Sequence, residues 1–293
     1  MYLPEVEFHE SSSLEEASAL LNKFGADARL LAGGTELLVD LKSGRRFAKH
    51  LISLQSVATL RGIQFHPKGL SIGALTTLSE LNRHFHVRRV FPAIHDATSQ
   101  MAAVQIRNMA TVGGNVVCAV PCADLPPVLL VLGASVTAWS PRGRRTIRLE
   151  SLFAGLRWTV LNPDEILTSV EIPLPGHGFG AAYARFSLRE GNSVAVAASA
   201  ASIQLHSDGT IADAQVALGA VSPTPRLLVA AREALIGSEA SEETFDQASA
   251  AAMADCEPIT DVRGSSEFRR ELVGILTKRA LTLALQRARE KKA

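Results

Sequence analysis

The sequence predicts an α+β protein with more than one domain, and three observations carry that reading. Up to Pro173, short apolar runs of strand length alternate with capped segments of helical period. Residues 173–180, P-L-P-G-H-G-F-G, then place three glycines and two prolines within eight residues, the composition of a linker. Beyond it the pattern becomes strand-like runs followed by three helical stretches. A chain of 293 residues, 47% hydrophobic, is long enough for two or three domains with a good core.

The elements follow in order. Ser13-Leu14-Glu15-Glu16 reads as a capping box. Leu14, Ala17, Leu20, Leu21 and Phe24 then share a helical face, and Gly25 ends the helix. Residues 28–32 form a short buried strand, Gly33-Gly34 breaks it, and 36–43 is a short helix closed by Gly44. Residues 51–54 and 70–74 are strands, and Thr77-Leu78-Ser79-Glu80 opens another capped helix running to about His84. Residues 106–117, I-R-N-M-A-T-V-G-G-N-V-V, are read as a third strand–turn unit. A strongly apolar run over 124–140 turns back at Pro141-Arg142-Gly143 into 144–149, and 165–172 is a strand stopped by Pro173. After the linker, 181–221 carries strands around a turn at Ser207-Asp208-Gly209. Helices are expected over about 225–236, about 241–255 and from about 265 onward. The last shows Phe268, Leu272, Ile275 and Leu276 on one face and ends in a basic tail, R-A-R-E-K-K, read as solvated.

Composition excludes several functions. The net charge is +1, with two Trp and two Tyr, so neither nucleic acid nor an anionic membrane is an expected partner. No apolar run reaches spanning length, and the acidic start M-Y-L-P-E-V-E-F-H-E lacks the apolar core of a signal peptide. Three cysteines are no disulfide framework, so a cytoplasmic location is expected. Cys118 and Cys122 form C-x-x-x-C, a poor spacing for a dithiol redox turn, and are read as buried or half-buried thiols. His84-x-His86 and the Arg142, Arg144, Arg145 cluster are read as solvated surface, and His177 as a solvated linker residue. No metal-ligand set and no catalytic acid, base or nucleophile is expected.

Two turns remain. Ala32-Gly33-Gly34-Thr35-Glu36 and Thr111-Val112-Gly113-Gly114-Asn115 each pair glycines with a small hydroxyl residue. Neither is a phosphate-binding Walker loop nor a Rossmann fingerprint. Glycine removes the Cβ that keeps a ligand from the main chain. Two such turns facing one another can grip a pyrophosphate through amides, with Asp124 accepting from sugar hydroxyls. Either pair alone is equally an ordinary turn; the two together tilt toward a dinucleotide.

The motifs, taken in order, resemble a known family. A-G-G-T-E-L-L (32–38), I-G-A-L-T-T-L (72–78), Q-I-R-N-M-A-T-V-G-G-N (105–115), A-D-L-P-P (123–127), E-I-L-T-S-V-E-I-P (165–173), Y-A-R-F-S-L-R-E (183–190), G-A-V-S-P-T-P-R (219–226) and D-V-R-G-S-S-E-F-R-R (261–270) are similar to the FAD-binding medium subunit of the molybdenum hydroxylases, the xanthine dehydrogenase and carbon monoxide dehydrogenase family. The resemblance implies an FAD-binding domain over 1–175 of the vanillyl-alcohol-oxidase type, with subdomains at about 1–55 and 56–175. An α+β domain, a small antiparallel sheet with helices, would follow over 181–293. It implies that Leu30, Leu31, Ala32, Gly33, Gly34, Thr35, Glu36 and Leu37 wrap the FAD pyrophosphate. Thr111, Val112, Gly113, Gly114 and Asn115 would form the facing wall. Asp124 would meet the ribityl and sugar region, and Leu167 would pack on the cofactor. Arg185 falls where some members carry a lysine near the flavin, and Met101 at an apolar contact. The cysteine-bearing insertion of the 4-hydroxybenzoyl-CoA reductases is missing. By the same resemblance the chain is an electron-transfer subunit. Its partners would be a small [2Fe–2S] subunit and a large molybdenum-cofactor subunit, in a dimer of heterotrimers, with NAD, oxygen or a quinone as acceptor. A stand-alone flavin oxidoreductase and a scaffold that has lost FAD are the alternatives.

Overall fold

The computed structural model describes residues 2–290. The N-terminal unit contains β1 (Glu7–Glu10), α1 (Leu14–Phe24), β2 (Ala28–Leu31), α2 (Leu37–Lys42) and β3 (His50–Ser53). Its three strands are parallel in the order β1-β3-β2, as crossover connections through α1 and α2 require. Ser13 Oγ accepts from the Glu16 amide, as the capping box predicts. The Glu16 carboxylate returns one residue early, however, accepting from the Ser12 amide and hydroxyl at 2.8 and 2.9 Å. Leu14, Ala17 and Leu21 of α1 bury against Ile52 and Leu54, and Leu60, Leu75 and Ile166 of the next unit complete that core.

The second unit runs through β4 (Ile63–His66), β5 (Gly69–Gly73), α3 (Leu78–Arg83), α4 (Phe85–Val90), α5 (Pro92–Gln100), α6 (Val104–Met109), α7 (Val112–Val117), α8 (Leu125–Val131), β6 (Ser135–Ser140), β7 (Gly143–Arg148), β8 (Phe153–Gly155), β9 (Trp158–Thr159) and β10 (Ile166–Pro173). Five of its strands form an antiparallel sheet, β4-β5-β10-β6-β7, and β8 pairs with β9. Thr77 and Glu80 make the full capping box that starts α3. Residues 106–117 depart from the strand expected there: they form α6 and α7, joined through extended Ala110 and Thr111. Each helix is only six residues long, too short to reveal its period, and Thr111, whose Oγ1 accepts from the Gly114 amide at 3.1 Å, acts as a helix cap rather than a turn residue.

The third unit is the antiparallel sheet β11 (Phe179–Phe186), β12 (Ala197–Leu205), β13 (Ile211–Gly219) and β14 (Arg226–Leu227), followed by α9 (Val229–Leu235), α10 (Glu242–Asp255) and α11 (Ser266–Glu290). The inner stripe of α11 is Leu272, Val273, Leu276, Ala280, Leu281 and Ala284. Phe268 and Ile275, expected on that face, are exposed. The basic tail is solvated only in part, with Arg289 and Glu290 exposed. Arg287 makes two bonds to the Asp96 carboxylate at 2.6 and 2.9 Å, tying α11 to α5; Lys291 and Lys292 lie outside the described residues. Arg142 and Arg145 are exposed, as read, and in addition grip Asp164 and Glu165 with two bonds each. His84 and His86 are half-buried, with His86 stacked on Phe65 at 4.3 Å. Among the described residues no helix is long and apolar enough to cross a membrane.

Candidate cofactor site

The two glycine turns meet. A Cβ built on Gly33 would lie 1.8 Å from the Met109 carbonyl oxygen, so the first turn rests directly on the backbone that leads into the second. Gly113 is also tight, though less so: its Cβ would fall 2.7 Å from that of Ala74. Gly34 has φ +71°, a left-handed conformation that glycine adopts without strain. Between and beyond the turns lies a cavity of ≈ 430 Å³, within the usual range for a small-molecule site.

The two walls differ chemically. In the first, β2 ends, the chain crosses 32–36, and α2 begins. The amides of Gly33, Gly34, Thr35 and Glu36 donate to no protein acceptor among the described residues. In the second, every amide from 112 to 115 is engaged. Val112 donates to the Thr76 carbonyl, Gly113 to that of Ala74, Gly114 to Thr111 Oγ1 and Asn115 to the Thr111 carbonyl, at 2.9–3.1 Å. Only the first turn is therefore a bank of free donors. The second offers a side chain instead: Asn115 Oδ1 is buried and has no partner, a costly state unless a ligand donates to it.

Of the residues expected at the site, Leu30, Ala32 to Leu37, Thr111, Gly113 to Asn115, Asp124 and Leu167 line the cavity. Three do not. Leu31 pairs with Ser53 in the sheet, Val112 is in the core, and Arg185 stands behind Asp124. The Asp124 carboxylate accepts from the Tyr183 hydroxyl at 2.5 Å and from Arg185 at 3.0 and 3.2 Å, while Arg185 also donates to the Ser193 carbonyl at 2.7 Å. Burial pushes the Asp124 carboxyl upward, opposed by Arg185 and Tyr183, and lifts the Tyr183 hydroxyl well above its ordinary value. Leu167 borders a register shift in β10, between Leu167 and Ser169.

Several lining residues were not anticipated as ligand contacts. Arg29 and Arg46 bring positive charge to the wall, and Ser193 and Val194 arrive from the loop between β11 and β12. No local pattern announces them, since each is brought in by tertiary packing. Cys118 and Cys122 line the cavity as thiols; burial pushes Cys118 up to about 11 and Cys122 upward. Each lining carboxylate is matched by arginine. Glu36 meets Arg157 at 2.8 Å, Asp124 meets Arg185, and Glu165 meets Arg145, which holds its carboxyl down at about 2. Arg157 also reaches the fully buried Asp40 of α2 at 2.6 Å, fastening the first wall to the second unit.

Free amides at one turn, two guanidinium groups, a lone buried acceptor and an otherwise apolar lining suit an elongated ligand with a diphosphate and a flat ring system. That is the class the fold and site define: a protein holding a dinucleotide cofactor. The FAD binding domain in molybdopterin dehydrogenase matches residues 4–175, and the CO dehydrogenase flavoprotein C-terminal domain matches 181–284. The chain belongs to this FAD-binding flavoprotein family of the molybdenum-containing dehydrogenases. It is 32% identical to the carbon monoxide dehydrogenase medium chain of Hydrogenophaga pseudoflava, over 98% of this chain and 99% of that one. It is 30% identical to the xanthine dehydrogenase FAD-binding subunit of Escherichia coli O157:H7, over 96% of each. The solved carbon monoxide dehydrogenase from Hydrogenophaga pseudoflava superimposes with a TM-score of 0.94 at 33% identity, covering 98% of this chain and 99% of that one. FAD is therefore the cofactor of this chain's family, and the molybdenum and iron–sulfur groups belong to other subunits.

Proposed function

We propose that this chain is the flavin-carrying electron-transfer subunit of a cytoplasmic molybdenum hydroxylase, working between a small [2Fe–2S] subunit and an external acceptor such as NAD, oxygen or a quinone. A large molybdenum-cofactor subunit completes the assembly, as a dimer of heterotrimers. The carrying observation is the asymmetric pair of turns: four unpaired amides at residues 33–36 opposite a buried, unpartnered Asn115 Oδ1. The amides would hold the FAD pyrophosphate, with Arg29 and Arg46 adding positive potential. Asn115 Oδ1 and the remaining acceptor capacity of Asp124 would take sugar or ribityl hydroxyls. Leu167 and Met101 would pack on the rings. Bound FAD supplies a carrier that exchanges electrons singly with one partner and in pairs with another.

The residues favour relay over substrate chemistry. Glu36, Asp124 and Glu165 are each held by an arginine, and burial keeps the Cys118 and Cys122 thiols protonated. This disfavours a stand-alone oxidoreductase whose substrate step relies on an acid or base in the cleft. The matches to a carbon monoxide dehydrogenase and a xanthine dehydrogenase, whose substrates are unlike, fit a substrate chosen outside this chain. The test is to purify the chain with its partners, identify the released cofactor, and mix the complex with substrate in a stopped-flow spectrometer. Near one FAD per chain, bleached by substrate only when the iron–sulfur subunit is present, is expected. A complex without flavin, or flavin reduced by substrate in this chain alone, refutes the reading.

A further inference from the structure

A second cluster of chemistry lies away from the cofactor cavity, on the face of the parallel sheet. Glu7 and His9 are two residues apart on β1 and so point to the same side. In the parallel pairing Glu7 stands beside His50 of β3. Three ligand atoms converge there: Glu7 Oε2 and His50 Nδ1 are 2.9 Å apart, His9 Nε2 and His50 Nδ1 3.1 Å, and Glu7 Oε2 and His9 Nε2 3.6 Å.

We propose that Glu7, His9 and His50 form a binding site for a divalent transition ion of the zinc class. The geometry carries the argument. Ligand bonds of about 2.0–2.1 Å in a tetrahedron put neighbouring donor atoms about 3.3–3.4 Å apart. The three separations here straddle that edge before any ion is present, so little movement is needed to close on one. The donor set, two imidazoles and a carboxylate, is of the borderline kind zinc accepts. The frame is stiff: two ligands sit on one strand and one on its hydrogen-bonded neighbour. The Phe24 ring at the end of α1 stacks on His50 at 3.7 Å and on His9 at 4.9 Å, fixing both imidazole planes. Glu7 is mostly exposed, so the fourth position faces water, as three protein ligands leave it. Lys49, next to His50, is already paired with Asp27 at 2.9 Å. No sequence motif announces the set, because His50 is 41 residues from His9 and is brought to it only by the crossover through α1, β2 and α2. An ion there would cross-link β1, which among the described residues pairs only with β3 at the edge of its sheet, to the rest of the unit.

The test uses the full chain carrying its FAD, stripped with a chelator and titrated with zinc chloride by calorimetry at pH 7.5. One zinc per chain in the micromolar range is expected, with a matching rise in Tm. His9→Ala and His50→Ala should each weaken it by at least about tenfold. Flavin content and the circular dichroism spectrum serve as folding controls, and His50→Gln replaces His50→Ala if the latter fails them. Anomalous scattering at the zinc edge should place the ion between the three residues. Absence of a one-equivalent site, zinc binding unchanged by both histidine substitutions, or an ion located at the cysteines would overturn the proposal.

Discussion

Replacing Gly33 by alanine should separate the two walls of the cleft and expel FAD. The new Cβ would sit 1.8 Å from the Met109 carbonyl oxygen and 2.6 Å from its carbonyl carbon, both backbone atoms that cannot swing aside. Reaching even 3.0 Å requires 3.0 − 1.8 = 1.2 Å of movement. Overpacking of this kind costs about 1–3 kcal/mol of stability. The larger effect is on the ligand, since an amide displaced by that much leaves hydrogen-bonding range. Losing two bonds to a charged phosphate, at about 1.5–3 kcal/mol each, amounts to about 3–6 kcal/mol, or a 10²–10⁴-fold weaker Kd. The assay is fluorescence titration of the FAD-free protein, with the released flavin counted per chain. Gly155→Ala, where a Cβ meets nothing within 4 Å, is the matched control and should bind as the parent does. If Gly33→Ala binds FAD within about threefold of the parent, under about 0.7 kcal/mol, the argument that this close approach builds the pyrophosphate wall fails.

Three further outcomes are expected. Arg185→Met strands the Asp124 carboxylate, itself 6% exposed, and should lower unfolding stability by about 3–5 kcal/mol in urea melts; a change under about 1 kcal/mol would show the pair to be dispensable. Arg145 holds the Glu165 carboxyl at about 2 against an ordinary 4.5, so the folded chain gives up that proton more readily than the unfolded chain. The stabilisation is whole above pH 4.5 and is lost as pH falls toward 2. It should amount to about 1–2 kcal/mol rather than the ~3.4 of the full shift, because solvent screens the half-exposed Arg145, and Arg145→Met should flatten the urea midpoint between pH 6 and pH 3. Burial lifts the Cys118 thiol to about 11, so on the order of one in a thousand is ionised at pH 8. A disulfide dye should therefore label it over hours; complete reaction within seconds would contradict a thiol pushed up to about 11.

Much of this protein was legible in its sequence, where the signal is local. The Thr77–Glu80 capping box, the hairpin at Pro141-Arg142-Gly143 and the two long C-terminal helices follow from side chains a few residues apart, and each formed as expected. The ordered motifs marked the family, because glycine spacing survives as text. The chain between Ile106 and Val117 was misread, since short helices capped by one threonine leave little period to detect. The ion-pair partners of the arginines were missed for a related reason. Arg142, Arg145 and Arg287 look like solvated charge until a carboxylate 20 to 191 residues away is brought beside them.

The sequence by itself determined which residues are apolar, where glycine frees the main chain, most of the elements and, through the resemblance of its ordered motifs, the cofactor class. Only the tertiary structure decided how those residues are used. It satisfied the amides of one glycine turn, two with the 74–77 loop and two with Thr111, left those of the other free, and placed Arg185 behind Asp124 rather than against the cavity. It also gathered Glu7, His9 and His50 on one face. The physical reason is that hydrogen bonds and ion pairs are satisfied by whatever folding brings within about 3 Å, and that proximity depends on strand order and packing rather than on neighbours in the chain.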